Sequence, residues 1–501
     1  MKVRTTHCAA GNSLLRVLTC CLLAAALLLS FNLKTARAQN TVLLVGVSDP
    51  GVRPGPQPAN GAGNPIAGLP TDQATFWFDG LVLFGDTASV KGTLSGEPLL
   101  GLGPAFNGNS CLLCHSQPVI GGSSPTPNPQ RGIANLDGAS NTIPTFLTPN
   151  APALEVRFVN NSDGTPDGGV HDLFTITGRT DAPTGCNLQQ PDFATQLQNG
   201  NIIFRIPIPT FGEGFVENAS ENILKNNLAA LASVKKAAGI AGRFNTSGND
   251  GTITKFGWKA QNKSMLMFAG EASNVEMGIT SELFTNERTA GGCATNATPE
   301  DNTHVIIPTG GDAGDDASQI SSLIENFTIF MRLNAPAQPC DFFTSQTTCK
   351  PLGASALRGQ ALFGTVVPPP TGGAPNTGIG CVLCHTDSLK TAKSNLTPLN
   401  QVEFHPFSDF ALHHMGPGLA DGISQGQAQG DEFRTAPLWG VGQRIFFLHN
   451  GSTSDIIAAI ELNAGNCSAG QVCSEATQVI NTFNGLQPSH QQDIVNFLRS
   501  L

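Results

Sequence analysis

Apolar positions along the chain change their period several times, and each change marks an element. Ile320, Leu323, Ile324, Phe327 and Met331 recur at helical spacing just before Pro336, and Ile494, Val495, Leu498 and Leu501 do the same at the C-terminus. Both stretches are expected to be helices, the second opened by a capping box of Ser489 and Gln492. EVRFV (155–159), HDLFTITGR (171–179) and NIIFRIPIP (201–209) are rich in β-branched and aromatic residues and read as short strands. Residues 39–75 show no apolar period and are rich in Pro, Gly and Asn, so they read as an extended arm or linker with little chemistry of its own.

A weak internal repeat organises the rest. GLVLFG (80–85) is followed by CLLCH (111–115), and GQALFG (359–364) by CVLCH (381–385). Each copy ends in one of the two amphipathic helices, so IENFTIFMRL and IVNFLRSL are expected to close equivalent units. The chain of 501 residues exceeds what one core usually supports, and two domains are expected, 76–335 and 336–501. Residues 120–255 form a partly β insertion in the first, the whole being mainly α. With 56 Gly and 34 Pro, long ordered loops should connect the helices.

Residues 1–38 combine Lys2, Arg4 and Arg16 with the apolar run VLTCCLLAAALLLSF (17–31) and the small-x-small triplet Ala36-Arg37-Ala38, the form of a cleaved signal peptide. The run of 15 residues is short of the roughly 20 that cross a bilayer, so no membrane span is expected after cleavage. Cleavage would remove five basic residues and no acidic ones, leaving a net charge of −15. That balance disfavours nucleic acid as a partner and favours basic or neutral ones.

Of 13 cysteines, three lie in the signal segment and four in the two C-x-x-C-H motifs. The remaining six, Cys186, Cys293, Cys340, Cys349, Cys467 and Cys473, permit 15 pairings. Spacing suggests Cys340 with Cys349 and Cys467 with Cys473, which leaves Cys186 with Cys293. For the motifs themselves, a zinc site would need four converging thiolates and would leave both histidines as spectators. A thioredoxin-like dithiol would need a preceding strand that neither copy shows. Haem attachment uses every residue: Cys111 and Cys114, or Cys381 and Cys384, hold the porphyrin edge, and His115 or His385 supplies an axial imidazole. The chain is therefore expected to hold two covalent c-type haems in two cytochrome-c-like domains, in the periplasm.

The segment FSDFALHHMGPGLADGISQGQAQGDEFRTAPLWGVGQRIFFLHNGSTSDIIAAI (407–460) resembles the di-haem oxidoreductases often labelled thiol oxidoreductases, distant relatives of bacterial di-haem cytochrome c peroxidases and MauG-type enzymes. GLGPAFNGNSCLLCH (101–115) and FGWKAQNKSMLMFAGEASNVEMGIT (256–280) fit the same family. The resemblance implies that Trp258 lies between the haems and that Glu276 stands over the site where peroxide is reduced, as general acid–base chemistry would require. It also implies that His449 supports the second haem.

Several positions depart from that family. Asn463 stands where relatives place an axial Met, Tyr or His, and the chain has no tyrosine. Either Met415 or His414 ligates from another loop, water occupies the position, or the second haem is five-coordinate. His171 is the single candidate from the insertion for a switchable ligand to the first haem. Calcium is doubtful, because Arg444 and Phe446 stand where the Thr and Pro ligands of peroxidase relatives would fall. The implied activity is peroxidase-type reduction of peroxide with electrons from a small donor protein of cytochrome c or cupredoxin type. The alternatives are an electron-transfer cytochrome without a substrate of its own and a haem-dependent oxidase of an organic or protein substrate.

Overall fold

In each repeat the closing helix crosses the helix that carries the G-x-x-L-F-G run, and a glycine lies at the crossing. The computed structural model describes residues 46–57, 61–301, 322–340, 352–366, 376–466 and 473–501. Five helices frame the repeats: α1 (Thr71–Gly85), α2 (Met265–Met277), α3 (Leu323–Leu333), α4 (Ala354–Phe363) and α5 (Pro488–Ser500). Helix α1 packs on α3, and α4 on α5. A Cβ on Gly80 would fall on the carbonyl oxygen of Asn326 and crowd Phe330, and one on Gly359 would fall on the carbonyl oxygen of Asp493 and crowd Phe497. Glycine costs a helix interior about 1 kcal/mol relative to alanine, so the close crossing explains its use at both places.

The same geometry sets the aromatic residue four positions on. Phe84 packs on Phe330 with ring centroids 4.7 Å apart, and Phe363 on Phe497 at 5.4 Å. Each then meets the motif histidine of its own copy, Phe84 with His115 at 6.1 Å and Phe363 with His385 at 6.2 Å. The repeat read from the sequence is thus a repeated mount for an imidazole.

Sheet structure is slight: every sheet among the described residues is a two-stranded pair. Glu155–Phe158 pairs antiparallel with Ile202–Arg205, which sets Glu155 opposite Arg205. Ala105–Phe106 pairs with Phe174–Thr175, and Leu412–His414 with Glu432–Arg434. The described residues cluster as one compact unit. The larger apolar core runs from Trp77 and Phe84 through Phe174, Trp258 and Phe330 to Phe433, Trp439 and Phe446. Packing is therefore continuous across the boundary expected at 335/336. A second core gathers Phe363, Val382, Phe407, Phe483, Phe497 and Leu501 around α4 and α5.

One local expectation is corrected. Helix α5 has Gln487 before it with no side-chain cap, because Pro488 takes the first helical position, where its missing N–H costs nothing. The reciprocal capping box belongs instead to α3, between Ser322 and Glu325. In the stretch before α1, read as an extended arm or linker, Asp49 holds the buried Arg499 through both carboxylate oxygens, at 2.7 and 2.6 Å. Further along, the Ile66 amide donates to the Leu333 carbonyl at 2.8 Å. Having no core of its own, this segment satisfies its polar groups on its neighbours.

Cys186 and Cys293 form a disulfide. Cys340 and Cys473 are disulfide-bonded as well; Cys349 and Cys467, their expected partners, lie outside the described residues, as do the signal segment and Ile320.

Candidate functional site

Each C-x-x-C-H motif folds as a single helical turn at the wall of a cavity. The His115 amide donates back to the Cys111 carbonyl at 3.0 Å, and that of His385 to the Cys381 carbonyl at 2.9 Å. This brings both thiols and the imidazole of each motif onto one cavity wall. His115 Nδ1 lies 2.9 Å from the Gly122 carbonyl oxygen, and His385 Nδ1 lies 2.9 Å from that of Phe407. A carbonyl can only accept, so Nδ1 carries the proton in both rings and Nε2 keeps its lone pair, the tautomer that binds a metal. Burial favours the neutral ring in both cases, pushing His115 down to about 4 and lowering His385.

The four motif cysteines are free thiols and the pairs line different cavities, so four thiolates do not converge. Among the described residues no group of three or more His, Cys, Asp or Glu could hold a metal ion. Burial also pushes Cys111 and Cys381 up to about 12, the reverse of a reactive redox thiol.

Trp258 lines both cavities. It is 8% exposed, and its indole N–H donates to the Ile206 carbonyl at 3.0 Å, which fixes the ring plane. On the second-cavity side it meets His449 edge to face, and His449 stacks on Phe433 at 4.2 Å. The buried Lys259 ammonium lies 4.1 Å from the centre of the Phe433 ring. Burial holds His449 neutral, down to about 3.

The first cavity carries a carboxyl-rich wall. Glu276, on the last turn of α2, faces it together with Glu155, Arg157 and Arg205. The Asn107 amide donates to Glu276 Oε2 at 3.0 Å, and Asn107 is itself held by Gln130. Burial and then the negative charge of Glu155 push Glu276 up to about 8, so it carries a proton at neutral pH. Burial opposes ionisation of Glu155 too, but Arg157 and Arg205 outweigh it and hold this carboxyl below its ordinary value. His171 is not part of the wall: its ring stacks on Phe158 at 3.7 Å and Nε2 lies 3.0 Å from Asp167. His171, expected as a switchable ligand to the first haem, is thus not brought to this wall, the hairpin beyond Phe158 holding it against Asp167.

The second cavity is walled by apolar residues, Met415, His449, Asn463 and two buried arginines. Met415 reaches it, whereas His414 turns outward to Asp431 at 3.0 Å. The neighbouring His413, which sequence reasoning passed over, also lines it. Its ring nitrogens face Glu475 at 2.6 Å and Asp409 at 3.1 Å, so both are donors and neither is left for a metal. Asn463 caps the helix Ile456–Leu462, its amide donating to the Ala459 carbonyl at 2.7 Å.

The fit of both cavities to a haem can be tested on unpaired polar atoms. Arg434 Nε and Arg444 Nε and Nη2 in the second cavity, and Arg205 Nε in the first, are buried without a partner. Buried guanidinium nitrogens without acceptors are costly, and a porphyrin's carboxylates would supply those acceptors. Arg444, at a position expected to exclude calcium, is thus a cation turned to the cavity. Only tertiary structure shows these arginines as cavity residues; in the sequence they look like ordinary surface charge.

Residues 369–501 match the family described as "Di-haem oxidoreductase, putative peroxidase". The crystal structure of the diheme peroxidase BthA from Burkholderia thailandensis is similar at 16% identity with a TM-score of 0.26, over 49% of this chain and 65% of that chain. No curated protein matches the chain. Among the described residues no helix is long and apolar enough to cross a membrane. The match over residues 369–501 is to the family that the sequence resembles, and it covers about a quarter of the chain.

Proposed function

We propose that the protein is an exported, periplasmic di-haem c-type oxidoreductase that reduces peroxide with electrons from a small donor protein of cytochrome c or cupredoxin type. The observation that carries this reading is the asymmetry around Trp258: the indole lines both cavities, while the protonated carboxyl of Glu276 faces only the first. The first cavity thus has a carboxyl that holds its own proton, whereas the ionisable pair lining the second, His413 and Glu475, is already joined at 2.6 Å.

Cys111 and Cys114 would hold one haem with His115 as axial ligand, and Cys381 and Cys384 the other with His385. When bound, haem iron supplies the electrons and the coordination position at which peroxide reacts. The protein's own groups do the rest. Glu276 holds a proton ready for a leaving oxygen, the classically weak point of an uncatalysed peroxide cleavage. Asn107 fixes the direction of that carboxyl through its 3.0 Å hydrogen bond. Met415 faces the second cavity and would favour a higher potential there, as suits an electron store. The apolar walls of both cavities keep bulk water from the reacting groups.

Electron paramagnetic resonance of the oxidised protein, with cyanide and peroxide additions in each redox state, tests the proposal. The expected result is one iron that opens to exogenous ligands and consumes peroxide. Two six-coordinate irons that never bind cyanide or react with peroxide would sink the enzyme reading in favour of an electron carrier.

A further inference from the structure

Peroxide reduction needs more protons than one carboxyl can hold. Hydrogen peroxide takes two electrons and two protons to give two waters: the O–O bond breaks, two O–H bonds form, and the electrons come from the one-electron donor protein. Glu276 can give its proton to the leaving oxygen once per turnover, and must then recover another. The structure places a second carboxyl where it governs that recovery.

Glu155 opens the strand Glu155–Phe158 and faces the same cavity as Glu276. It sits across the strand pair from Arg205, and Arg157 Nε donates to its Oε1 at 2.6 Å. Gln130, 1% exposed, fixes the separation of the two carboxyls. Its amide donates to the carbonyls of Asn107 at 3.2 Å and Leu154 at 3.0 Å, and its oxygen accepts from the Leu154 amide at 2.8 Å. One end of this clamp therefore holds the residue that orients Glu276, and the other holds the residue before Glu155. The negative charge of Glu155 is one cause of the raised affinity of Glu276 for its proton.

We propose that Glu155 is the positioning residue that keeps Glu276 protonated over the first cavity, the two carboxyls working as a one-proton pair. The inference rests on the peroxidase reading and extends it to the supply of protons. When Glu276 releases its proton to the leaving oxygen, two carboxylates face each other in a buried wall, and their repulsion raises the affinity of Glu276 for the next proton from solvent. Arg157 and Arg205 prevent Glu155 from taking that proton itself. The other charged or ionisable groups facing the pair are Glu271 and Asp172 and the motif thiols Cys111 and Cys114, with Arg288 compensating Asp172 at 2.8 Å.

The test compares the haem-loaded wild type with Glu155→Gln, Glu155→Asp and Glu276→Gln. Infrared difference spectra across pH follow the carboxylic C=O stretch, and the pH profile of peroxide turnover is recorded alongside. Wild type should show a buried carboxyl band that disappears in Glu276→Gln. Glu155→Gln should keep that band, lower its midpoint by about one pH unit, and move the alkaline limb of turnover down with it. Glu155→Asp should restore both toward wild type. An unmoved midpoint in Glu155→Gln, with haem content intact, overturns the inference and leaves the peroxidase reading standing. Absence of peroxide turnover in wild type removes that reading, while the infrared midpoints still decide whether the carboxyls are paired.

Discussion

Trp258 and His449 meet edge to face, ring centroids 6.3 Å apart, on the wall where the second cavity borders the first. The indole is held by one hydrogen bond to Ile206 and the imidazole by its stack on Phe433, so both rings have fixed planes. Trp258→Phe should leave the absorption spectra of both haems unchanged while slowing electron transfer between them. Rapid mixing with a reductant, following each haem at its own wavelength, gives the rate. Unaltered transfer would take Trp258 out of the electron path.

Removal of Cys381 or Cys384 should abolish covalent haem in the second cavity and spare the first, and removal of Cys111 or Cys114 should do the converse. The haem-to-protein ratio of denatured protein, measured as the pyridine complex, should fall by about half in each case if one of two thioether-bound groups is lost.

Met415→Ala should change the ligand field of the second haem, read by near-infrared magnetic circular dichroism. His414→Ala and His171→Ala should not, because His414 pairs with Asp431 and His171 with Asp167, both away from the cavities. A changed spectrum in either histidine variant would show a conformation in which that ring reaches iron.

Gly80→Ala and Gly359→Ala should each destabilise the holoprotein by about 1–3 kcal/mol or more, although alanine is the better helix former, because the added methyl meets a backbone carbonyl rather than a mobile side chain. Denaturant midpoints measure the effect. Mere propensity would predict the opposite sign.

Glu213 is buried and its Oε2 has no partner. Burial, only partly offset by Arg434, pushes it up to about 7. Between the ordinary carboxyl value and 7 the folded state binds a proton that the unfolded chain has lost, so stability should fall as pH rises through this window. The loss is on the order of 3 kcal/mol across it. Glu213→Gln should flatten the pH dependence of the denaturant midpoint between pH 5 and 8.

The motifs, the repeat and the closing helices were legible because each leaves a short local signature: C-x-x-C-H for attachment, glycine where helices cross, and apolar period in a helix face. Glu276 and Trp258 were reachable only through family resemblance, and the structure brings both to cavity walls. Glu155 was not found as a site residue, since its meaning depends on Arg205 across a strand pair and on Gln130 behind it. His171 shows a related limit. A lone histidine beside a strand says nothing about which side of a hairpin it will occupy, and here Phe158 and Asp167 settle it.

The shared mount of His115 and His385 has one more consequence. Each ring is fixed from behind by a loop carbonyl and flanked by the phenylalanine of its own L-F-G run, so the chassis is the same twice over. A duplicated chassis cannot by itself make two irons behave differently. Whatever divides their labour must be written on the facing walls, where the first sets Glu155 and Glu276 beside Arg157 and Arg205 and the second sets Arg434 and Arg444 beside the His413–Glu475 pair. Either wall can then be rewritten without disturbing the frame beneath it.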